Sequence, residues 1–87
     1  MDEKELAIQV GKRLKTLRHS LDINQSKLAE MLGRTQREVS NWENGVKLVP
    51  SLIMFKIKSL YDVPITYFDP EDELSLGKVL SMTMKSS

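Results

Sequence analysis

The chain has 87 residues, enough for one small domain with a single modest hydrophobic core. It has no cysteine and one histidine, which excludes disulfides and thiolate metal sites and leaves His19 too isolated to build a metal site. The formal net charge is only +1, and no run approaches the roughly 18 apolar residues of a membrane span.

The charge is distributed unevenly along the sequence. Residues 1–60 hold eleven Lys and Arg against seven Asp and Glu, a balance of +4, whereas residues 61–87 hold two against five, a balance of −3. The small net charge argues weakly against a nucleic-acid partner. A basic part of the chain can nevertheless supply the contacts that phosphates require, and here that part is the first 60 residues.

The first predicted element is an amphipathic helix from about Leu6 to Ser20. Its apolar residues recur at spacings of four, four, three and four positions, namely Leu6, Val10, Leu14, Leu17 and Leu21. Gly11 lies inside this helix, where glycine costs roughly 1 kcal/mol relative to alanine, and it therefore indicates close helix packing. Residues 1–5 are polar and predicted to be frayed, and no apolar run of a signal peptide follows them.

The same helix carries four basic residues off the apolar stripe: Lys12, Arg13, Lys15 and Arg18. A solvated basic face is the simplest interpretation of this pattern. Contact with DNA phosphates is the alternative.

A second, shorter helix is predicted after Asn24, whose side-chain oxygen can accept a backbone N–H of the first turn. Ile23 and Leu28 occupy the two positions of a hydrophobic staple around that cap. The apolar face of this helix consists of Leu28, Ala29 and Leu32. Gly33 ends the helix, because glycine enters the left-handed conformation without steric cost.

A third helix is predicted two residues later. Thr35 and Glu38 have the spacing of a capping box, in which each side chain accepts the other residue's backbone N–H. Val39 and Trp42 are three positions apart and point inward, and Asn44-Gly45 ends the helix. The outer face then consists of Gln36, Arg37, Ser40 and Asn41.

The polar side chains on this outer face suit the edges of DNA bases. Gln and Asn can bond bidentately to the N6/N7 edge of adenine, and Arg to O6 and N7 of guanine. A helix that presents its first turn to the major groove leads with Gln36 and Arg37, and Asn41 follows about one turn later. Glu38 could accept from cytosine N4, but the cap is favoured because an unpaired acid next to phosphates would weaken binding.

The segment from residue 24 to residue 45 resembles the helix-turn-helix of the Cro/cI-type regulators, also called the XRE family. The matching residues are Leu17-Arg18, Asn24-Gln25, Leu28-Ala29-x-x-Leu32-Gly33, Thr35-Gln36 and Val39-Ser40-x-Trp42-Glu43-Asn44-Gly45. The resemblance runs from Val10 to Phe68. It implies an all-α, compact five-helix lambda-repressor-like DNA-binding domain over residues 1–69, with the motif at 24–45 and a C-terminal tail at 70–87.

The resemblance also implies roles for individual residues. The base-reading residues are expected to be Gln36, Arg37, Ser40 and Asn41, and the phosphate-binding residues Arg18, Asn24, Gln25 and Lys47. Arg18 is expected to pair with Glu43 and so tie the first helix to the end of the third. Gln25 is expected to brace Gln36, the first residue of the recognition helix.

After Gly45 the sequence departs from the family pattern. The family lays backbone amides and basic side chains of this loop against phosphates, but here only Lys47 is basic, and Val46, Leu48 and Val49 are apolar. Either these apolar residues belong to the core and an interface, or the phosphate contact is weaker.

A fourth helix is predicted to begin at a Ser51 cap, with Pro50 just outside it, and to end at Asp62-Val63-Pro64. Its inward residues are Ile53, Met54, Ile57, Leu60 and Tyr61. Phe55 lies off this stripe and suits the twofold contact that the family often forms here. A fifth short helix is predicted at 65–68, because proline suits the first turn of a helix.

Residues 70–87 fall outside the resemblance. Their apolar residues are Leu74, Leu76, Val79, Leu80, Met82 and Met84, and neither the helical nor the strand period dominates. This composition is compatible with three alternatives: a tail that pairs with its mate in a dimer, a disordered tail, or the start of a longer protein.

The sequence shows no catalytic constellation, no glycine-rich phosphate loop and no metal-binding motif, so no enzyme activity, cofactor or metal is expected. The favoured hypothesis is a sequence-specific transcriptional regulator, a repressor, that binds an inverted-repeat operator in double-stranded DNA as a homodimer. The alternative is a protein-binding module of the same fold, such as an antitoxin or adaptor whose partner is a toxin or effector. The resemblance implies a cytoplasmic setting without membrane association.

Overall fold

The computed structural model describes residues 1–85, and the side chains of residues 1–81. The regular elements of that part of the chain are all helices: α1 (Glu3–Ser20), α2 (Gln25–Leu32), α3 (Gln36–Glu43), α4 (Ser51–Tyr61), a 3₁₀ helix (Ile65–Phe68) and α5 (Glu73–Lys85). This confirms the predicted all-α fold with a helix-turn-helix, although the short helix predicted at 65–68 is a 3₁₀ helix. None of the helices in the described residues combines the length and the apolarity that crossing a bilayer requires.

Helix α1 lies at the centre of the fold and contacts α3, α5 and the 3₁₀ helix. Its apolar stripe is buried, since Val10, Leu14 and Leu17 are each at most 3 % exposed. The core that they join also contains Leu28, Ala29, Leu32, Val39, Trp42, Val49, Ile53, Ile57, Val63, Tyr67, Phe68 and Val79. Because α2, α3 and α4 all contribute to this one core, the helix-turn-helix is anchored to the rest of the chain.

Gly11 allows α1 and α3 to approach each other closely. A Cβ atom added at this position would overlap the carbonyl oxygen of Trp42 and lie 2.9 Å from that of Glu43. Close helix packing is therefore the reason for a glycine inside α1, as the sequence indicates. The C-terminal end of α3 rests directly on the backbone of α1.

Replacing Gly11 by alanine should lower the free energy of unfolding by about 1–3 kcal/mol, because the added methyl group has no room between the two backbones. Alanine is the better helix former by about 1 kcal/mol, so an uncrowded site should gain stability instead. Gly77 in α5 is such a site, since a Cβ atom there meets nothing within 4 Å. Urea denaturation should show opposite midpoint shifts for Gly11→Ala and Gly77→Ala, and shifts in the same direction would contradict the close packing.

Helix α1 begins earlier than the sequence predicts. Residues 1–5 are predicted to be frayed, but the helix already starts at Glu3. Asp2 caps it, because its side chain accepts the N–H of Glu5 at 2.7 Å. This local bond outweighs the fraying that a polar terminus suggests.

The two ends of α4 also differ from the prediction. Ser51 is predicted to be the cap, yet Pro50 occupies the cap position without a side-chain bond, and Ser51 is the first helical residue. Leu60 is predicted to point inward but is 45 % exposed. Leu60 lies in the last turn, just before the chain leaves the helix through the left-handed conformation of Asp62. The buried residues of α4 are Ile53 and Ile57.

Arg13 is buried, which corrects the interpretation of α1 as having a fully solvated basic face. It is 7 % exposed, and its guanidinium donates to the carbonyls of Tyr67 at 3.3 Å, Pro70 at 2.9 Å and Asp72 at 2.8 Å. The Tyr67 hydroxyl donates in return to the Arg13 carbonyl. Burial raises the pKa of Tyr67 above its ordinary value, at which the hydroxyl is already protonated at neutral pH. These bonds, the Arg13 clamp, fasten the turn before α5 onto α1.

Residues 73–85 form helix α5, which packs against α1. They belong to the C-terminal segment in which the sequence shows neither a helical nor a strand period. Asp72 begins it by accepting the N–H and the hydroxyl of Ser75, both at 3.0 Å. The bond from the Ser75 N–H is the main reason that the pKa of Asp72 lies below its ordinary value.

Among residues 73–81, the part of α5 whose side chains the structure describes, the buried side chains form a narrow face. Val79 is 1 % exposed, whereas Leu74 and Leu80 are 85 % and 49 % exposed. Apolar residues therefore occur on both the buried and the exposed sides, which explains why the sequence shows no dominant period. The side chains of Met82 and Met84, and residues 86–87 of the predicted tail, lie outside the described residues.

Candidate nucleic-acid interface

Helices α2 and α3 are joined by a tight turn whose shape is set by local bonds. Asn24 caps α2 by accepting the N–H of Lys27 at 2.8 Å. Gly33 ends α2 in the left-handed conformation, with a φ angle of 69°. Thr35 then caps α3 through the predicted capping box. The turn is thus determined by residues that are near one another in the sequence.

The carboxylate of Glu38 is committed to this cap. It accepts the N–H and the hydroxyl of Thr35, both at 3.1 Å, and the guanidinium of Arg34 at 3.4 Å. The bond from the Thr35 N–H holds the pKa of Glu38 below its ordinary value, and desolvation acts in the opposite direction. These bonds favour the cap over contact with a cytosine.

The outward face of α3 is polar. Gln36 and Arg37 are exposed, and Ser40 and Asn41 are half-buried. The hydroxyl of Ser40 accepts from the side-chain amide of Asn44 at 3.2 Å. The structure therefore places all four predicted base-reading residues on one helix, with the two most accessible ones in its first turn.

The loop after α3 is anchored by the backbone of Asn41. Its carbonyl accepts the N–H of Val46 at 2.9 Å and that of Lys47 at 3.3 Å. Lys47 is exposed. The apolar loop residues divide into two groups, because Val49 is 1 % exposed in the core whereas Val46 and Leu48 are 67 % and 39 % exposed. The loop thus contributes one residue to the core and leaves two available to an interface.

Arg18 and Glu43 form a buried ion pair that ties α1 to the end of α3. The Nε and Nη2 atoms of Arg18 donate to the two Glu43 oxygens at 2.7 and 3.0 Å, and the side chains are 10 % and 1 % exposed. The Nη1 atom donates to the carbonyl of Ile23 at 3.0 Å. Such bidentate geometry fixes the direction of α3 relative to α1.

Gln25 does not brace Gln36 as the resemblance implies. Its amide donates instead to Glu43 at 3.2 Å and so joins the Arg18–Glu43 pair. The residue bonded to Gln36 is Ser26, whose hydroxyl donates to Gln36 Oε1 at 3.2 Å. Glu43 is buried and accepts from Arg18 as well, so it offers the amide of Gln25 a stronger, charge-assisted partner.

The four predicted phosphate-binding residues lie at two separate places on the surface. Arg18 and Asn24 line one surface pocket, and Gln25 follows Asn24 at the start of α2. The side-chain oxygen of Asn24 is used by the cap, which leaves its amide N–H groups to donate. Lys47 lines a different pocket, with the N-terminal part of α1.

Sequence reasoning missed the contacts of Arg13 and Ser26. Arg13 lies three positions after Val10 and four before Leu17, at the flank of the buried stripe, and this spacing could have revealed its burial. Ser26 gives no such signal, because an exposed serine in a first helical turn is common. No three His, Cys, Asp or Glu side chains in the described part of the chain are grouped as a metal site would require.

Residues 14–68, from the middle of α1 to the end of the 3₁₀ helix, match the family model described as Helix-turn-helix. The chain belongs to the XRE-type helix-turn-helix family. Over 61 residues, 70 % of the chain, this helix-turn-helix protein is 33 % identical to proteins of Sinorhizobium medicae (strain WSM419) and Rhizobium meliloti (strain 1021). Both are described as uncharacterized HTH-type transcriptional regulators.

The alignment covers 44 % of each of these relatives, so the helix-turn-helix chain spans less than half of their length. No solved structure matches it. The range matched by the family ends at Phe68 and thus contains the motif, the C-terminal part of α1, helix α4 and the 3₁₀ helix, but not α5. The predicted family is confirmed.

Proposed function

We propose that the chain is a sequence-specific DNA-binding transcriptional regulator that places α3 in the major groove. The polar outward face of α3 carries this proposal, because Gln36 and Arg37 are exposed on a helix that is fixed at both ends. The capping box fixes its start, and the Arg18–Glu43 pair fixes its end. A preorganised helix of this kind loses little conformational entropy on binding. The transcriptional role of the relatives agrees with it.

The contacts with DNA divide into two kinds. Base edges are met by Gln36, Arg37 and Asn41, with Ser40 assisting, and phosphates are held by Arg18, Asn24, Gln25 and Lys47. Phosphate contacts set the register of the protein on the duplex, and base contacts supply the specificity. The balance of +4 over residues 1–60 supports a phosphate-binding surface in this part of the chain.

In this proposal the regulator binds an inverted repeat in DNA as a homodimer. Leu52 and Phe55 on α4 are 64 % and 58 % exposed, and apolar side chains of this size favour a contact with a second copy. Two copies related by a twofold axis would present their α3 helices to half-sites about 34 Å apart. Binding represses transcription if such an operator overlaps a promoter.

A protein-binding module of the same fold, such as an antitoxin or adaptor, is the second candidate. The exposed apolar residues favour it, namely Val46, Leu52, Phe55, Leu74 and Leu80. Its partner would be a toxin or an effector protein. Apolar contacts of this kind respond weakly to salt, whereas binding to DNA phosphates weakens steeply as salt increases.

The deciding experiment is selection from a genomic DNA library with the purified chain, followed by titration of the selected site at two salt concentrations. A dimeric regulator should select a short inverted repeat and lose affinity steeply with salt. Absence of any enriched motif would refute the proposal and direct attention to a protein partner for the apolar residues of α4 and α5.

Arg37→Ala should relax selectivity at one base pair by about 1–3 kcal/mol, because it removes a side chain that can bond bidentately to guanine. Lys58→Ala is the matched control, since it removes one positive charge from an exposed site on α4. Titration of single-base variants of the selected site measures both effects. If Arg37→Ala weakens binding equally on every sequence, Arg37 contacts a phosphate and not a base.

A further inference from the structure

His19, the single histidine of the chain, lies against the guanidinium of Arg18 at the end of α1. Its Nε2 atom is 3.3 Å from Arg18 Nη2. A guanidinium has five N–H donors and no acceptor, so Arg18 donates in this contact and the imidazole nitrogen accepts. An imidazole nitrogen accepts only when it carries no proton. The contact therefore requires the neutral form of His19.

This contact occupies a donor that Arg18 could offer to DNA. The Nε atom and one N–H of Nη2 are bonded to Glu43, and Nη1 donates to the carbonyl of Ile23. His19 takes the second N–H of Nη2. Arg18 and His19 also line one surface pocket together with Asn24, whose amide N–H groups are left to donate by its cap. Donors of Arg18 and Asn24 thus meet at this pocket, and His19 covers one of them.

The charged groups around His19 come from three elements. On α1, the guanidinium of Arg18 and the ammonium of Lys15, four positions before His19, are positive. On α3, the carboxylate of Glu43 is bound to Arg18, and in the turn after α1 Asp22 lines the same pocket. The last turn of a helix favours positive charge. A proton on His19 is opposed most directly by Arg18, and an anion between the two side chains would stabilise it.

We propose that His19 is a further phosphate-binding residue, which holds a DNA backbone phosphate in its protonated form together with Arg18. This inference rests on the proposed function. An oxygen of the phosphate accepts from Arg18 Nη2 in place of the imidazole nitrogen, and the protonated ring donates its Nε2–H to the same phosphate. The amide of Asn24 supplies a further donor at this pocket. Neutral His19 therefore takes up a proton when DNA binds.

Proton uptake gives the affinity for DNA a pH dependence of definite sign. Imidazole is the side chain that ordinarily changes charge between pH 5 and 8. The phosphate favours the charged form, so this contribution to affinity is fully present at low pH and is lost as the pH rises through the titration of His19 in the complex. Affinity for the selected DNA site should rise about tenfold from about pH 7.5 to about pH 5.5.

The test titrates the selected DNA site at these two pH values, at constant ionic strength, with the wild-type chain, His19→Gln and His19→Lys. His19→Gln cannot take up a proton and should bind equally well at both pH values. His19→Lys is positively charged at both, so it should bind without pH dependence and, at the higher pH, at least as tightly as the wild-type chain.

Two further measurements separate a direct contact from the general field of the DNA. Neutral methylphosphonates are placed at one phosphate of the half-site at a time, and one position should abolish the pH dependence of the wild-type chain. Because the chain has one histidine, its imidazole resonance can be followed alone by NMR spectroscopy. The midpoint of its titration should move to higher pH by about one unit when DNA is bound.

Three outcomes would overturn the inference and leave DNA binding intact. A pH dependence that persists in His19→Gln assigns the proton to another group. A pH dependence that no single methylphosphonate removes assigns it to the general field. An imidazole resonance that titrates identically with and without DNA shows that His19 meets no phosphate. A chain that selects no DNA site refutes the proposed function itself.

Discussion

Trp42→Ala should lower the free energy of unfolding by about 3–5 kcal/mol, a large share of the roughly 5–15 kcal/mol that stabilises a typical domain. Trp42 is 3 % exposed and belongs to the core shared by α1 and α3. Its truncation removes apolar contact and leaves a cavity. The helices cannot close that cavity by moving together, because α3 already touches α1 at Gly11. The full cost of the cavity is therefore expected.

Urea denaturation followed by circular dichroism measures this loss, since Trp42 is the single tryptophan and its fluorescence disappears with it. Leu74→Ala removes an apolar side chain that is 85 % exposed, and its stability should stay within about 0.5 kcal/mol of wild type. Below its melting temperature Trp42→Ala should keep the wild-type base preference. A changed preference with unchanged stability would show that the indole contacts a base.

Glu43→Gln should destabilise the fold by about 3–5 kcal/mol, because it leaves the buried guanidinium of Arg18 without its counter-charge. The Glu43 side chain is 1 % exposed and accepts from both Arg18 and Gln25. A glutamine keeps one acceptor oxygen, but its amide N–H groups oppose one of the donors. Urea denaturation of Glu43→Gln and of the wild-type chain measures this loss of stability directly.

The double variant Arg18→Met with Glu43→Leu separates structure from DNA contact. Replacing both members of a buried ion pair by apolar residues of similar volume is often neutral or stabilising, so the double variant should be close to wild type in stability. If Arg18 also contacts a phosphate, the variant should bind DNA more weakly, with a salt slope smaller by about one. A double variant as unstable as Glu43→Gln would contradict the assignment of the loss to an unpaired charge.

Features that depend on neighbouring residues could be predicted from the sequence. The Asn24 cap, the left-handed Gly33 and the Thr35–Glu38 box each involve groups within a few positions of one another, and the structure shows all three. The close helix packing at Gly11 could be predicted for a different reason, because a glycine that weakens a helix needs a compensating contact. The outward face of α3 then follows from the inward positions of its apolar residues.

Features that depend on distant residues could not be predicted in this way. The Arg13 clamp joins groups that are 54 to 59 positions apart, and no local pattern reports its acceptors. The bond from Ser26 to Gln36 depends on which of two adjacent residues faces α3, a difference of one helical position. Helix α5 was missed because its buried face is narrow, so burial and periodicity do not coincide.

The Arg13 clamp has a consequence for how this sequence can change over evolution. Its guanidinium donates to the main-chain oxygens of Tyr67, Pro70 and Asp72, and every amino acid supplies such an oxygen. Substitutions at Pro70 can therefore preserve the bonds as long as the path of the main chain is kept, whereas Tyr67 is fully buried and its hydroxyl also donates to the Arg13 carbonyl. No other side chain offers the same planar fork of donors, so Arg13 itself has no equivalent replacement. Variation among descendants of this chain should accordingly be tolerated more readily at Pro70 than at Arg13 or Tyr67.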